Sequence, residues 1–471
     1  MYHALSVKSS NTPSGAPNDV LSWYIKIAAV FLILIGLFAA TGVQPIYGSL
    51  APFYGSWSPT LGWPPGQLLF FLLVPLGLSA LWLMYGHSDS DDPAPQVIGW
   101  ALFGLILWAF VFSGAVAMLR EGPAGISTAY SRSELEYIGD IGKVPSISAL
   151  FARYVEIHPA LSIHAQTHPP GPIALLWLMS YGIGQQPMAL SLATMAFGSL
   201  SVLPMYLWAR EVTGKAQTAL LCTALFTLMP SIVLFTATSV DILFMPFTLT
   251  TLWLFTRALS RDSAGAAMGA GIGYGLMGLF SFTLLSVGAY FGFVALARLR
   301  ETDGVKVVSR TAAIMVMFAV GVHLAVYLWS GYSSIEVFQI ATSAHFRGFG
   351  GEIRPRYAWI WFVLFFNPMA WLWFAGVPVS VLAVWRVLRP GAMRVIWTCF
   401  ALTWLALLLL YVGRGEGERA AMYAMPFLAL PAGHLLAELA ETAADARVVL
   451  VTAGFLLVQC WVTESFLRTP W

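Results

Sequence analysis

The feature that most limits what this chain can become is a series of apolar runs about 18 residues long or longer, the length at which an α-helix crosses the roughly 30 Å hydrocarbon core of a bilayer. Reading apolar windows places spans near 24–43, 67–85, 97–119, 187–208, 216–238, 242–258, 265–282, 284–299, 311–330, 367–388, 393–412, 422–440 and 447–465. The stretch 265–300 is too long for one helix at about 1.5 Å per residue. The small and hydroxyl residues around Ser281 and Ser286 therefore mark a turn between two short spans. Composition agrees, with 58% hydrophobic and 10% charged residues against about 45–50% and about 25% in soluble proteins. The expected fold is all-α: a polytopic integral membrane protein of about thirteen transmembrane helices.

The N-terminal 1–23 reads as a cytoplasmic tail, and 24–471 as a single integral membrane domain without a separable soluble unit. The first apolar run has no small-residue cleavage pattern after it and reads as a retained anchor. Arg210, Lys215, Arg257, Arg261, Arg298, Arg300, Lys306, Arg310, Arg386, Arg389 and Arg394 fall in short connections on one face, which the positive-inside bias makes cytoplasmic. With an odd number of spans, Trp471 is expected outside. A net charge of +2 from 24 basic and 22 acidic residues argues against a nucleic-acid partner. Cys222, Cys399 and Cys460 lie inside apolar runs at spacings that fit neither a zinc site nor a disulfide framework, and read as packing residues. His323 and His434, within spans, read as helix-packing groups.

Two long loops face the other side. Loop 120–186 carries Ser133-Glu134-Leu135-Glu136-Tyr137-Ile138-Gly139-Asp140, the basic residues Arg120, Arg132, Lys143 and Arg153, and His168-Pro169-Pro170-Gly171-Pro172. The apolar stretch that follows, Ile173 to Gly184, is too short to span and suits an interfacial helix. Loop 331–366 carries His345, Arg347, Arg354 and Arg356, and a third outer connection carries Arg414-Gly415-Glu416-Gly417-Glu418-Arg419. Basic residues on a translocated face run against the general bias, which suggests a use for them there.

A carboxylate desolvated beside a membrane has its pKa raised and suits a general base for a hydroxyl. The bland alternative is a solvated loop helix. Arginine forks bind phosphate or carboxylate bidentately, and the bland alternative for them is pairing with Glu352, Glu416 and Glu418 or with lipid headgroups. Asp241, at a short outer turn, is a further candidate for lining a site. No cofactor is called for. A divalent cation stays open only at His158, His164 and His168, and Pro169 disfavours the helical pair such a site would need.

The order of these elements resembles the GT-C superfamily of integral membrane glycosyltransferases, in particular its protein O-mannosyltransferase and aminoarabinose-transferase branches. The similarity is one of layout over roughly residues 97–440. It rests on the early acidic loop, the Pro-Pro turn opening a juxtamembrane helix, the segment Trp208-Ala209-Arg210-Glu211-Val212-Thr213-Gly214-Lys215, and Asp241 after Met229-Pro230-Ser231. His168-Pro169-Pro170-Gly171-Pro172 is its sharpest motif. The resemblance implies a polyprenyl-phosphate sugar donor taken from the membrane and a glycan, lipid or protein acceptor hydroxyl on the non-cytoplasmic face, as at a bacterial inner membrane. It implies a first-loop carboxylate as general base, with Asp140 the closest positional match and Glu136 the second. Tyr137, Arg153, His164, His168, Asp241, His345, Arg347, Arg354, Arg356, Arg414, Glu418 and Arg419 are the candidate substrate-binding residues. The competing readings are a secondary transporter or lipid flippase, and a glycan polymerase or ligase of another membrane fold.

Overall fold

Each of the thirteen apolar windows meets helix in the computed structural model, which describes residues 17–41, 62, 64–86, 93–131, 134–347, 362–391, 393–410, 417–443 and 445–466. Among these residues there is no strand, so the chain is an all-α polytopic membrane protein. Among the described residues six helices are individually long and apolar enough to cross a bilayer: 64–84, 95–121, 187–213, 240–261, 304–330 and 447–466. Two bent pairs raise the number to 8.

The bends have local causes. Residues 216–238 turn by 56° between Leu228 and Pro230, where Met229 is extended and Pro230 opens the next helix. Residues 363–388 turn by 105° at Gly376, whose φ of +95° is open to glycine at little cost. A Cβ there would also lie 2.3 Å from the Leu456 side chain. The stretch 265–300 divides as expected. Helix Ala264–Phe280 stops at an extended Ser281, a 3₁₀ turn covers Phe282–Val287, and a second helix runs Gly288–Arg298.

Small residues let backbones approach where apolar burial alone gives little drive between helices in lipid. Gly271, Gly275 and Gly278 form such a ridge against helix Gly304–Ser330. A Cβ on Gly271 would lie 2.5 Å from the Met315 carbonyl oxygen, and one on Gly275 would lie 2.9 Å from that of Ala319. The other face of that helix leaves Val316, Val320, Leu324 and Leu328 exposed to lipid. Deeper in the bundle, Trp208 stacks on Phe400 with ring centroids 5.3 Å apart and donates its indole N–H to Thr256 at 3.0 Å. Trp208 is thus a core residue.

Ion pairs sort the helix ends into two groups. Glu211 holds Arg257 and Arg261 at 3.5 and 3.0 Å, Lys215 meets Glu441 at 3.3 Å, and Arg386 meets Glu438 at 3.4 Å. Helices Met245–Arg261 and Pro426–Ala443 end in this group and begin, at their other ends, beside Asp241 and Arg419. The lysine- and arginine-rich ends therefore gather on one side, and the outer-loop residues on the other.

Candidate functional site

Loop 120–186 is a chain of short helical turns stitched by side-chain caps. Ser146 accepts from Ala149 N–H at 3.1 Å. The Tyr154 hydroxyl sits 2.8 Å from the Ala165 carbonyl and 2.6 Å from that of His168. His158 Nε2 lies 2.8 Å from the Gln166 carbonyl. Gly171, third in the Pro-Pro-Gly turn, lies so close to helix Ala264–Phe280 that a Cβ on it would be 2.2 Å from the Leu279 carbonyl oxygen. The turn is thereby pinned against the break at Ser281.

The stitching gives Asp140 a place other than the one expected of a base. Its side chain has 0% exposure, and its carboxylate accepts from Ser162 N–H at 3.0 Å, from the Ser162 hydroxyl at 2.6 Å and from Lys143 Nζ at 2.8 Å. An anion already holding three donors inside a loop anchor is poorly placed to receive a substrate proton. We expect Asp140→Asn to leave one of those donors facing an amide N–H₂, costing about 1–3 kcal/mol of stability. Thermal unfolding in nanodiscs should register that loss, while turnover by the folded fraction changes less than about tenfold, below the loss expected for a general base.

Glu136, one helical turn earlier, points instead into a cluster drawn from three parts of the chain. Its Oε1 lies 3.1 Å from His164 Nδ1 and 3.4 Å from Arg419 Nη1. Arg419 Nη2 lies 3.4 Å from His164 Nε2, and its Nε lies 3.5 Å from Asp241 Oδ2. A guanidinium can only donate, so His164 Nε2 accepts, and the ring carries its proton on Nδ1, directed at Glu136. Arg419 is buried between two carboxylates and an imidazole. Asp241 is fixed locally: its backbone N–H donates to the Ser239 hydroxyl at 3.1 Å, and that hydroxyl donates to Oδ2 at 2.9 Å.

Beside this cluster is a cleft lined by His168, Asp241, Phe244, Met245, Ser281, Thr283, Leu284, Ala420, Met422 and Tyr423. Asp241 is 18% exposed at its side chain, and no hydrogen bond from a described residue occupies its Oδ1. His168 Nδ1 lies 2.9 Å from the His164 carbonyl and must donate to it, which leaves Nε2 as the acceptor of a ring that lines the cleft.

Burial pulls the His168 pKa below its ordinary 6.5 and outweighs the opposing pull of Asp241. The buried ring therefore stays neutral where an unfolded chain's histidine takes up a proton. Stability is unaffected above about pH 6.5 and falls as pH drops through that value toward the depressed pKa, because the unfolded state then binds more protons. His168→Asn should remove this slope from unfolding measured between about pH 7 and 5. Tyr137 packs edge-on against His168 with centroids 5.8 Å apart, and burial raises its phenol pKa.

The cluster thus unites Glu136, Tyr137, His164, His168, Asp241 and Arg419. Arg153 stands apart, exposed and paired with Glu156 at 2.7 Å. The side chains of His345, Arg347 and Glu418, and residues Arg354, Arg356 and Arg414 entirely, lie outside the described residues. Among the described residues no group of three His, Cys, Asp or Glu is placed to hold a metal ion. His158, His164 and His168 each face a different partner. Sequence reading did not single out Ser239, Thr283 or Tyr423. Ser239-x-Asp241 is a capping pattern legible in the sequence, whereas Thr283 and Tyr423 reach the cleft only through packing.

Residues 167–329, about a third of the chain, match the family model described as dolichyl-phosphate-mannose-protein mannosyltransferase, a family of the GT-C superfamily. The match begins beside His168 and includes Asp241, Ser281 and Thr283. No curated protein matches the chain.

Proposed function

We propose that this chain, an integral membrane glycosyltransferase of the GT-C type, transfers a sugar from a polyprenyl-phosphate donor to an acceptor hydroxyl in the cleft beside Asp241. The observation that carries the reading is the Glu136–Arg419–Asp241 cluster at the edge of an open cleft, with one carboxylate oxygen of Asp241 that no described residue hydrogen-bonds. Asp241 takes the proton of the acceptor hydroxyl. The hydroxyl oxygen then bonds to the anomeric carbon, the bond from that carbon to the phosphate oxygen breaks, and polyprenyl phosphate leaves with the electron pair. Charge grows on that phosphate during the step, and a fixed guanidinium in a partly dry site stabilises it more than water does. Arg419 supplies such a cation at the cleft. Arg347, Arg354, Arg356 and Arg414 are proposed to complete the phosphate site.

Glu136 acts through Arg419, holding the guanidinium where the leaving group departs. His164 locks both by bonding each with one ring nitrogen. The polar cluster lies at the helix ends opposite the basic ones, which with the positive-inside bias supports transfer on the non-cytoplasmic face, as for a bacterial inner-membrane enzyme acting on a glycan, lipid or protein acceptor.

The test uses purified protein in nanodiscs with a panel of undecaprenyl-phosphate sugars and a crude acceptor extract, assayed for released undecaprenyl phosphate. Release that requires both donor and acceptor is the expected result. No release with any donor, together with ion-dependent solute uptake by the same protein in vesicles, would replace the transferase with a transporter.

A further inference from the structure

We infer that the segment Ser281–Leu284, which lines the same cleft as Asp241 and His168, is the wall that grips the sugar ring of the donor, with Ser281 and Thr283 setting which sugar is accepted; this rests on the transferase reading. The break is made by neither a proline nor a left-handed glycine. No proline lies between Ala264 and Arg298, and no positive-φ glycine marks the break. Side chains of the same stretch, together with the Pro-Pro-Gly turn, hold it open. Tyr274 donates to the Leu285 carbonyl at 2.6 Å, Ser286 donates to the Thr283 carbonyl at 2.6 Å, and Gly171 abuts the Leu279 carbonyl.

Those bonds satisfy backbone groups that an interrupted apolar helix would otherwise leave bare. The Ser281 and Thr283 hydroxyls, by contrast, hydrogen-bond no described residue, and both residues line the cleft. Phe244, Met245, Leu284 and Met422 supply apolar surface between the polar groups. Convergent hydroxyls set among apolar side chains match a pyranose ring, which presents hydroxyls at its rim and C–H groups on its faces. The wall shares the cleft with Asp241 and His168, whereas Arg419 lies beside the lining residues, so the wall can read the ring while the guanidinium holds the phosphate.

The test compares wild type with Ser281→Ala, Thr283→Val, their double variant and a Thr283→Ser control in nanodiscs. KM is measured for undecaprenyl-phosphate mannose and undecaprenyl-phosphate glucose, and the inhibition constant for undecaprenyl phosphate, which lacks the sugar. Two lost hydrogen bonds should raise KM for the preferred donor about 5- to 100-fold in the double variant. Discrimination between the two donors should shrink, inhibition by undecaprenyl phosphate should stay within about twofold, and Thr283→Ser should behave nearly as wild type. Unchanged KM and discrimination overturn the inference and leave the transferase intact. Parallel shifts in KM and the inhibition constant also overturn it, since they report a general disturbance of the cleft. A wild type that uses neither donor nor any other polyprenyl-phosphate sugar overturns the inference together with the reading beneath it.

Discussion

Asp241→Asn should lower kcat/KM at least about a hundredfold, the scale of a lost general base, while leaving the protein folded. The amide keeps the shape of the side chain, and its carbonyl oxygen can still accept from Ser239, whose hydroxyl lies 2.9 Å from Oδ2. What it lacks is the ability to take a proton from a hydroxyl. The same measurement on Glu136→Gln separates the two carboxylates. Glu136 already accepts from His164 and Arg419, so its loss should act through misplacement of the guanidinium and be reduced in a variant that frees Arg419 of its second anchor. If Asp241→Asn retains most of its turnover and Glu136→Gln loses it, the base is Glu136 and the cleft-side carboxylate only orients substrate.

The second large effect belongs to Arg419. Its side chain is 6% exposed and within 3.5 Å of two carboxylates. Arg419→Ala takes from Glu136 and Asp241 the guanidinium that both carboxylates share in a poorly solvated site. Breaking a buried pair from one side costs about 3–5 kcal/mol, enough to remove most of a typical protein's stability margin. Folded yield after extraction, and unfolding in nanodiscs, should both drop steeply. Glu136→Gln combined with Arg419→Met removes one charge of each sign and should recover much of the folding without the activity. Arg419→Lys should fall between, because one ammonium cannot reach both carboxylates and His164 as a planar fork does. Near-native stability in Arg419→Ala would mean that the two carboxylates are relieved by other groups.

Much of the fold was legible because the bilayer imposes one demand on every span. Apolar runs of helical length located the helices, and the hydroxyl-rich stretch around Ser281 and Ser286 located a break that is observed. The segment after the Pro-Pro turn was read as short and interfacial, and it forms helix Gly171–Ile183 with Leu178 and Tyr181 exposed. The two sharp bends were less legible. Met229 and Gly376 turn the chain through local backbone states that an apolar window does not register.

The site was legible in its residue types more than in its roles. Glu136, His164, His168, Asp241 and Arg419 were named from loop positions, and they meet. Asp140 and Glu136 looked interchangeable, since both are carboxylates on one short segment. Their difference comes from Ser162, 22 residues beyond Asp140, whose N–H and hydroxyl close over the Asp140 carboxylate.

The sequence by itself determined that the chain is a helical membrane protein, which helix ends carry the basic residues, and which loops hold the ionisable groups. These follow from local composition, because transfer free energy and charge placement are summed residue by residue along the chain. Only the tertiary structure decided that Asp140 is an internal anchor, that Arg419 sits between carboxylates more than a hundred residues apart in sequence, and that Ser281 and Thr283 line the same cleft as Asp241. Those outcomes depend on which hydrogen-bonding groups the packing of distant helices brings within about 3 Å of one another, and no local pattern encodes that distance.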